Sequence, residues 1–353
     1  MYFSSQRAAA LAGLAALGLA ALASSAQAQD LFVANSDSSN IIRFANTGPG
    51  TFSTTATVVS DPSSTLNAPQ GLAFDAQGDL FVANFNSNTI TEFAAGPTPG
   101  TLKAGVIVAA SKTGLSGPIG LAVDAKGNLF TANGNGNGNT ITEFAALGSG
   151  TFASGTTVAS GLKGPFGLAV DTGGDLFATN FTGGSITEFA ALGGGTFASG
   201  TTVASGLAYP EGLALDAAGN LFTSNYLAGT VTKFAFTPGL VGTTGTFGMG
   251  TLYATGLSKA AGLAFDAQGD LFAASSSATG TNPGNSITKF AAGAAPGGTG
   301  TVVETGLNAP SFLAFGPLPS APVPEASTTV SLGLLLVLGL GGAVMAARKK
   351  RAA

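Results

Sequence analysis

Two residue types that commonly carry chemistry are missing from this 353-residue chain, which contains no cysteine and no histidine. Without cysteine there can be no disulfide, no thiolate metal site and no cysteine nucleophile. Without histidine the chain lacks the side chain that most often transfers protons near neutral pH and binds transition metals. The inventory for catalysis is therefore short.

Charge is also scarce. Charged residues make up 8% of the chain, whereas glycine alone contributes 54 residues; about 25% charged residues is usual for a soluble domain. Between Asp30 and Pro317 there are 16 acidic and 8 basic residues, a balance that argues against nucleic acid as a partner. This composition resembles that of a low-charge extracellular β protein.

The N-terminal segment predicts export. Arg7 is followed by an uncharged run rich in leucine and alanine, and Ala26 and Ala28 form a small-x-small cleavage site. This order is typical of a secretory signal peptide, here residues 1–28. A buried or amphipathic helix is the alternative, but the run has no polar face. We expect the mature protein to begin near Gln29.

A second uncharged segment lies at the C-terminal end. Residues 326–347 carry no charge and would form a helix about 33 Å long, enough to cross the ~30 Å hydrocarbon core. By the positive-inside rule, the basic residues that follow place the tail in the cytoplasm and residues 29–325 outside it. They are Arg348, Lys349, Lys350 and Arg351. We predict a transmembrane helix, preceded by a semi-rigid proline-rich stalk over residues 318–325.

The segment Val323-Pro324-Glu325-Ala326 stands directly before this helix. With the helix and the basic tail it resembles the PEP-CTERM sorting signal, over residues 323–353, although Ala326 replaces the usual second proline. The resemblance implies export in a Gram-negative bacterium and an exosortase-type processing enzyme as a partner. The protein would then be anchored by its helix or released to the cell surface or extracellular matrix. A plain membrane anchor is the alternative.

Between these ends the sequence repeats. The stretch of residues 70–94 recurs with its glycine at Gly71, Gly120, Gly167, Gly212 and Gly262, at spacings of 45 to 50 residues. Periods of this length with several short strands indicate propeller blades. Each unit divides into a strand such as GLAFD, a second such as DLFVAN, a third such as TITEFA and a looser outer strand such as TTVAS.

Two incomplete units complete each other. Residues 30–45 begin at the second strand of a unit, and residues 309–317 supply a first strand, in which Phe312 replaces the repeat glycine. We therefore predict an all-β, six-bladed β-propeller over residues 29–317, with residues 30–69 and 309–317 sharing a composite blade. Closure of the ring by both chain ends removes exposed sheet edges.

The repeated phrases P-x-G-L-A-x-D, L-F-x-x-N and I-T-x-F resemble those of NHL-repeat and gluconolactonase-like six-bladed propellers. The second strand ends in asparagine or serine, where the NHL pattern usually has aspartate. The resemblance to gluconolactonase-like propellers implies that the residue before each repeat glycine lines the mouth of the central channel, where that family holds one divalent metal. The six residues here are Gln70, Ile119, Phe166, Glu211, Ala261 and Ser311.

Glu211 is the one charged member of this set, and Gln70 lies three blades away, across the channel. A hard cation needs several oxygen ligands, which Ile119 and Phe166 do not offer, so we predict no metal, no cofactor and no catalytic residue. The six residues are candidates for binding at the channel mouth. The alternative is that Glu211 acts as a solitary catalytic group. If Glu211 has no catalytic role, we expect it to be a solvated carboxylate at the channel mouth.

Other polar residues recur in nearly every blade, as Asp75 and Asp79 do in the first complete one. A role repeated in every blade favours turn formation and local hydrogen bonding. The same holds for the asparagines that end the second strands, for which a row of amides facing a sugar is the alternative. These are Asn35, Asn84, Asn133, Asn180 and Asn225, with Ser275 in the last copy.

Together these observations predict a non-enzymatic, exported propeller at the cell surface or in the matrix, which presents a rigid face to a protein or polysaccharide partner. The first alternative is a lactonase-like hydrolase with a channel-mouth site at Glu211 and Gln70. The second is a structural protein that serves assembly alone.

Overall fold

The computed structural model describes residues 29–317 except 49, 60–64, 99, 111–113, 135–137, 149, 240–244 and 277–284. The predicted signal peptide, stalk, transmembrane helix and basic tail lie outside these residues and stay predictions. Within them every regular element is a β-strand, and none is a helix long and apolar enough to span a membrane.

The strands form six sheets, the blades of a propeller, each with four antiparallel strands; one of them carries a short fifth strand in parallel. Numbered in chain order, with strands counted from the inside outward, the five continuous blades are as follows. Blade 1 has strands Pro69–Phe74, Leu80–Asn84, Thr89–Phe93 and Val106–Ala109. Blade 2 has Pro118–Val123, Leu129–Asn133, Thr140–Phe144 and Thr156–Ala159. Blade 3 has Pro165–Val170, Leu176–Asn180, Ser185–Phe189 and Thr201–Ser205. Blade 4 has Pro210–Leu215, Leu221–Asn225, Thr230–Phe234 and Thr251–Thr255, with Gly298–Thr299 added in parallel at its edge. Blade 5 has Ala260–Phe265, Leu271–Ser275, Ser286–Phe290 and Thr301–Glu304.

The composite blade closes the ring as the sequence predicts. Its inner strand, Pro310–Phe315, pairs antiparallel with Leu31–Asn35, which continues to Asn40–Phe44 and Thr57–Val58. Four two-stranded hairpins also lie between the third and fourth strands of their blades. They are Asn46–Gly48 with Thr51–Phe52, Ala146–Gly148 with Thr151–Phe152, Ala191–Gly193 with Thr196–Phe197, and Phe236–Thr237 with Thr246–Phe247.

The hydrophobic core is divided among the six interfaces between neighbouring blades, each with its own cluster of buried side chains. Successive side chains on a strand point to opposite faces, so the Leu-Phe pair of each second strand serves two interfaces. Leu80 packs toward the composite blade and Phe81 toward blade 2. These strands therefore do not alternate apolar and polar residues, as strands with one face in water do, because both of their faces are buried.

The repeat glycines explain how closely the inner strands approach one another. A Cβ atom at Gly71 would overlap the carbonyl oxygen of Ile119, and one at Gly120 would overlap that of Phe166. The glycines of blades 3, 4 and 5 face the inner strand of the next blade in the same way. Glycine is required because backbone, which cannot move aside as a side chain can, occupies that space.

Candidate functional site

The channel mouth is the end of the ring where inner strands begin and second strands end. Antiparallel pairing puts Pro69 opposite Asn84 and Pro210 opposite Asn225, so the six predicted channel-mouth residues, which directly follow these inner-strand starts, lie at the same end. The loops that enter each inner strand and the turns after each second strand surround them. Sequence and topology thus bring the six residues to one place near the axis.

The six side chains differ in what they offer there. Ala261 is fully buried in the core between blade 5 and the composite blade. Ser311 is 6% exposed, and its hydroxyl donates to the backbone carbonyl oxygen of Pro69 at 3.2 Å, which ties the composite blade to blade 1. Ile119 is buried, whereas Gln70 and Phe166 are half-buried. Ser311 and Ala261 therefore serve structural contacts, which leaves Gln70, Phe166 and Glu211 as the stronger candidates.

Glu211 is a buried carboxyl group near the axis. The residue is 6% exposed, and its Oε2 atom has no hydrogen-bond partner. Burial raises the pKa of this carboxyl from 4.5 to about 8, because the charged form loses its hydration without a compensating charge or hydrogen bond. Near pH 7 Glu211 is therefore mainly a neutral carboxylic acid that can donate a proton, rather than the solvated carboxylate considered from the sequence.

Phe312 fills the position that glycine occupies in the other five blades. Its ring stacks on that of Phe166 with 6.0 Å between centroids and 17° between planes. The two residues belong to inner strands three blades apart in the ring, so this pair crosses the central channel. The sequence shows the substitution, but only the ring geometry shows that Phe312 meets an aromatic partner on the opposite side.

Beside this pair lies a group of aromatic side chains that sequence reasoning missed. Phe181 stacks on Phe166, with 5.4 Å between ring centroids, and lies edge-on to Tyr209 at 5.1 Å and to Tyr226 at 5.9 Å. The Lys259 ammonium lies 5.7 Å from the Tyr226 ring centroid. These residues occupy loop positions at which the other blades carry mainly glycine, alanine or serine. This difference between blades is the sequence feature that could have revealed the aromatic group.

The donor set at this mouth does not fit the divalent metal that the resemblance to gluconolactonase-like propellers implies. Ile119 and Phe166 have no ligating atom, and Ser311 and Ala261 are committed to packing and to an interblade hydrogen bond. Glu211 and Gln70 supply the remaining side-chain oxygens, fewer than a hard cation needs. No group of three or more aspartate or glutamate side chains within the described residues could hold a metal ion.

The repeated polar residues have structural roles, as predicted. Asn84 accepts a hydrogen bond from the amide of Asn67 and donates to Thr91, so it joins the entering loop to the third strand. At the other end of the ring, Asp75 accepts from the amides of Gln77 and Asp79 within one turn. Asn225 departs from the set in one respect, because its Oδ1 atom is buried without a hydrogen-bond partner.

A groove of about 210 Å³ lies between blades 2 and 3 at that other end, with Asp124, Glu143 and Asp171 in its lining. Burial, followed by the nearby Asp124 charge, raises the pKa of Glu143. The three carboxyl groups do not gather into a ligand set. This groove is therefore a weaker candidate than the channel mouth.

Comparison with known proteins supports the fold. No family model and no curated protein sequence matches this chain. Among solved structures, a proposed 6-phosphogluconolactonase from Bacteroides fragilis NCTC 9343 is similar over 84% of this chain and 99% of its own, with a TM-score of 0.59 and 17% identity. A proposed 6-phosphogluconolactonase from Bacteroides uniformis ATCC 8492 matches over 82% of this chain and 83% of its own, with a TM-score of 0.54 and 18% identity. A streptogramin B lyase matches over 84% of this chain and 95% of its own, with a TM-score of 0.50 and 13% identity.

At these identities the likeness supports the propeller fold alone, and no residue role passes with it. The comparison nevertheless contradicts one prediction. The sequence led us to expect a non-enzymatic propeller that binds a protein or polysaccharide, whereas these three neighbours are described as enzymes. The prediction was wrong because it treated the lack of histidine and of a metal ligand set as the lack of any catalytic group. The alternative, a lactonase-like hydrolase near Glu211, is the better supported of the two.

Proposed function

We propose that this protein is a lactonase-like hydrolase that acts at the channel mouth, with Glu211 as its acid–base group. The observation that carries the proposal is the unpartnered Oε2 atom of Glu211, a buried acid with a pKa of about 8. Strongly perturbed acids with no structural partner are concentrated at functional sites. The likeness to proposed lactonases supports the reaction class.

Hydrolysis of a lactone can be written with this one group. Water adds to the acyl carbon, and the bond between that carbon and the ring oxygen then breaks. The protonated Glu211 gives its proton to the departing ring oxygen, which becomes a hydroxyl group, and Glu211 recovers a proton from the attacking water. One carboxyl group thus serves first as acid and then as base, at the pKa near working pH that such transfer favours.

The aromatic side chains around the mouth would complete the site. Half-buried Phe166 and Phe181 present ring faces against which a small cyclic ester can pack. Because Oε2 is covered in the structure, binding requires the side chains above it to part. Catalytic hydrogen bonds are often absent from ligand-free sites and form only in the complex.

The test is hydrolysis of a lactone panel, including glucono-δ-lactone and γ-butyrolactone, by the purified protein in a pH-stat after subtraction of the spontaneous rate. Glu211→Gln keeps a neutral side chain of nearly the same shape but cannot transfer the proton. We expect it to lower kcat by about 10²-fold or more. For the protein with Glu211 intact, kcat/KM should fall as pH rises past about 8, where the group loses its proton.

Glu304→Gln is the matched control, since Glu304 is another acid with a raised pKa, about 7, but lies on the outer strand of blade 5. It should leave the rate unchanged. Absence of turnover above background for every lactone, or full activity of the Glu211→Gln protein, would rule the proposal out.

We also propose that the protein is exported and processed at its C-terminal end. The charge pattern of residues 323–353 supports this, as does the cleavage site at Ala26 and Ala28. Mass spectrometry of both termini after expression in a Gram-negative host with an exosortase should find a chain that begins near Gln29 and lacks residues 326–353. An intact N-terminus in the cytoplasmic fraction would exclude export. A retained tail in the membrane fraction would favour a plain anchor.

A further inference from the structure

The residue two positions before each channel-mouth residue has an unusual backbone. It is left-handed in all six blades, with φ between 48° and 63°; the residues are Ala68, Gly117, Gly164, Tyr209, Lys259 and Ala309. The fold requires this conformation, because the carbonyl group of each of these residues accepts a hydrogen bond from the amide that follows the second strand. Glycine suits such a position, and most other residues adopt it only with strain.

Blades 4 and 5 place large side chains where glycine would be easiest. Tyr209 has φ of 56° and Lys259 has φ of 48°, although blades 2 and 3 have glycine at the same point. A bulky residue with positive φ is a true outlier, and such strain is concentrated at ligand sites. The local hydrogen bond needs only the backbone, so the fold alone does not account for these two side chains.

Both side chains are available to a ligand. Tyr209 is 44% exposed, and Lys259 is exposed and takes part in none of the three ion pairs found among the described residues. The Tyr209 ring touches Phe181, and the Lys259 ammonium lies over Tyr226. These four residues, which we call the rim, form a surface of aromatic rings with a positive charge at one end. Tyr209 precedes Glu211 by two residues, so the rim lies beside the start of the strand that carries the buried acid.

We propose that the rim binds a sugar-like ring that carries a carboxylate or phosphate group. The ring packs on the aromatic faces of Tyr209 and Phe181, and the anionic group pairs with Lys259. On the described loops at the channel-mouth end of the ring, Lys163 is the other basic residue. Asp37 is the acidic residue on the surface turns at the same end. As the specificity determinant of the Glu211 site, the rim rests on the function proposed above, but its ligand binding can be measured without turnover.

Titration calorimetry on the purified protein tests the rim with three probes of similar shape: D-glucuronate, glucose 6-phosphate and glucose. We expect at least one anionic sugar to bind about tenfold more tightly than glucose. Lys259→Gln should bring that sugar to the affinity of glucose. Tyr209→Gly should weaken the binding of all three sugars about tenfold and leave the melting temperature equal or higher, because the left-handed backbone is relieved.

Two matched variants act as controls. Lys163→Gln removes a positive charge from the same end of the ring, and Ala309→Gly changes the equivalent strained position of the composite blade; both should leave binding unchanged. Equal binding of all three sugars, an equal loss in Lys163→Gln, or full affinity in Tyr209→Gly would each overturn the proposal. A preference for one anionic sugar alone supports it and identifies the group that is recognised.

The two proposals can fail separately. If the Glu211→Gln protein keeps the charge preference while no lactone is hydrolysed by the unmodified protein, the rim stands and the hydrolase does not. If lactones are hydrolysed but Lys259→Gln changes neither affinity nor KM for an anionic lactone, the rim fails and the hydrolase stands.

Discussion

At the residue scale, Glu211 shows how burial changes the chemistry of one side chain. The sequence identified it as the single charged residue at the channel mouth. Its desolvation was not predictable, because it depends on residues of other blades that only the closed ring brings around it. Thr179, on the second strand of blade 3, donates to the Glu211 carbonyl group at 2.9 Å, so the two blades are in direct contact at this point. In that confined space the carboxyl group retains its proton.

This burial predicts a pH-dependent stability. The folded-state pKa of Glu211 is about 8, against 4.5 as the ordinary value. Between these values the folded protein holds a proton that the unfolded chain releases. The free energy of unfolding therefore falls as pH rises from about 4.5 to about 8, and this decrease ends above about pH 8. Loss on the order of a few kcal/mol follows from a shift of this size. Glu211→Gln does not titrate and should lack this loss.

Thermal melts from pH 5 to pH 9 measure the effect. The melting temperature of the Glu211→Gln protein should increase relative to that of the unmodified protein as pH increases. The control Asp37→Asn, which alters an exposed acid, should show no such relative increase. If the difference in melting temperature between the Glu211→Gln and unmodified proteins is the same at every pH, burial does not raise the pKa of the carboxyl group.

At the element scale, the inner strand of each blade is defined by its glycine. The repeat made this residue visible, but its reason is the carbonyl oxygen of the neighbouring blade, which only the assembled ring puts in the way. The composite blade departs from the pattern with Phe312. There the side chain stacks on Phe166 across the channel, a contact that glycine at this position could not make.

Gly120→Ala should therefore be strongly destabilising. The added methyl group would overlap the Phe166 carbonyl oxygen, and separation of two inner strands costs about 1–3 kcal/mol in a packed core. Gly248→Ala is the control, because its Cβ would meet nothing closer than 3.7 Å and its φ is not left-handed. Chemical denaturation should give a lower free energy of unfolding for the first variant and little change for the second. Equal stabilities would mean that blades 2 and 3 can separate without cost.

At the scale of the whole described molecule, six equivalent interfaces surround six different mouth residues. The interfaces repeat because each second strand supplies the same Leu-Phe pair, and the closing strand Pro310–Phe315 makes the sixth interface like the other five. The mouth does not repeat, and the four rim residues lie on blades 3 to 5. A repetitive scaffold thus carries a one-sided site, as expected where function is placed on a common fold.

The sequence by itself determined the six-bladed fold, the exchange of strands between the chain ends and the structural nature of the repeated polar residues. These features follow from local periodicity, which is written in neighbouring residues. Only the tertiary structure decided that Glu211 is buried and protonated, that Phe312 reaches Phe166, and that Tyr209 and Lys259 share a strained position beside it. Those relations join residues of different blades, and their distances exist only once the ring has closed.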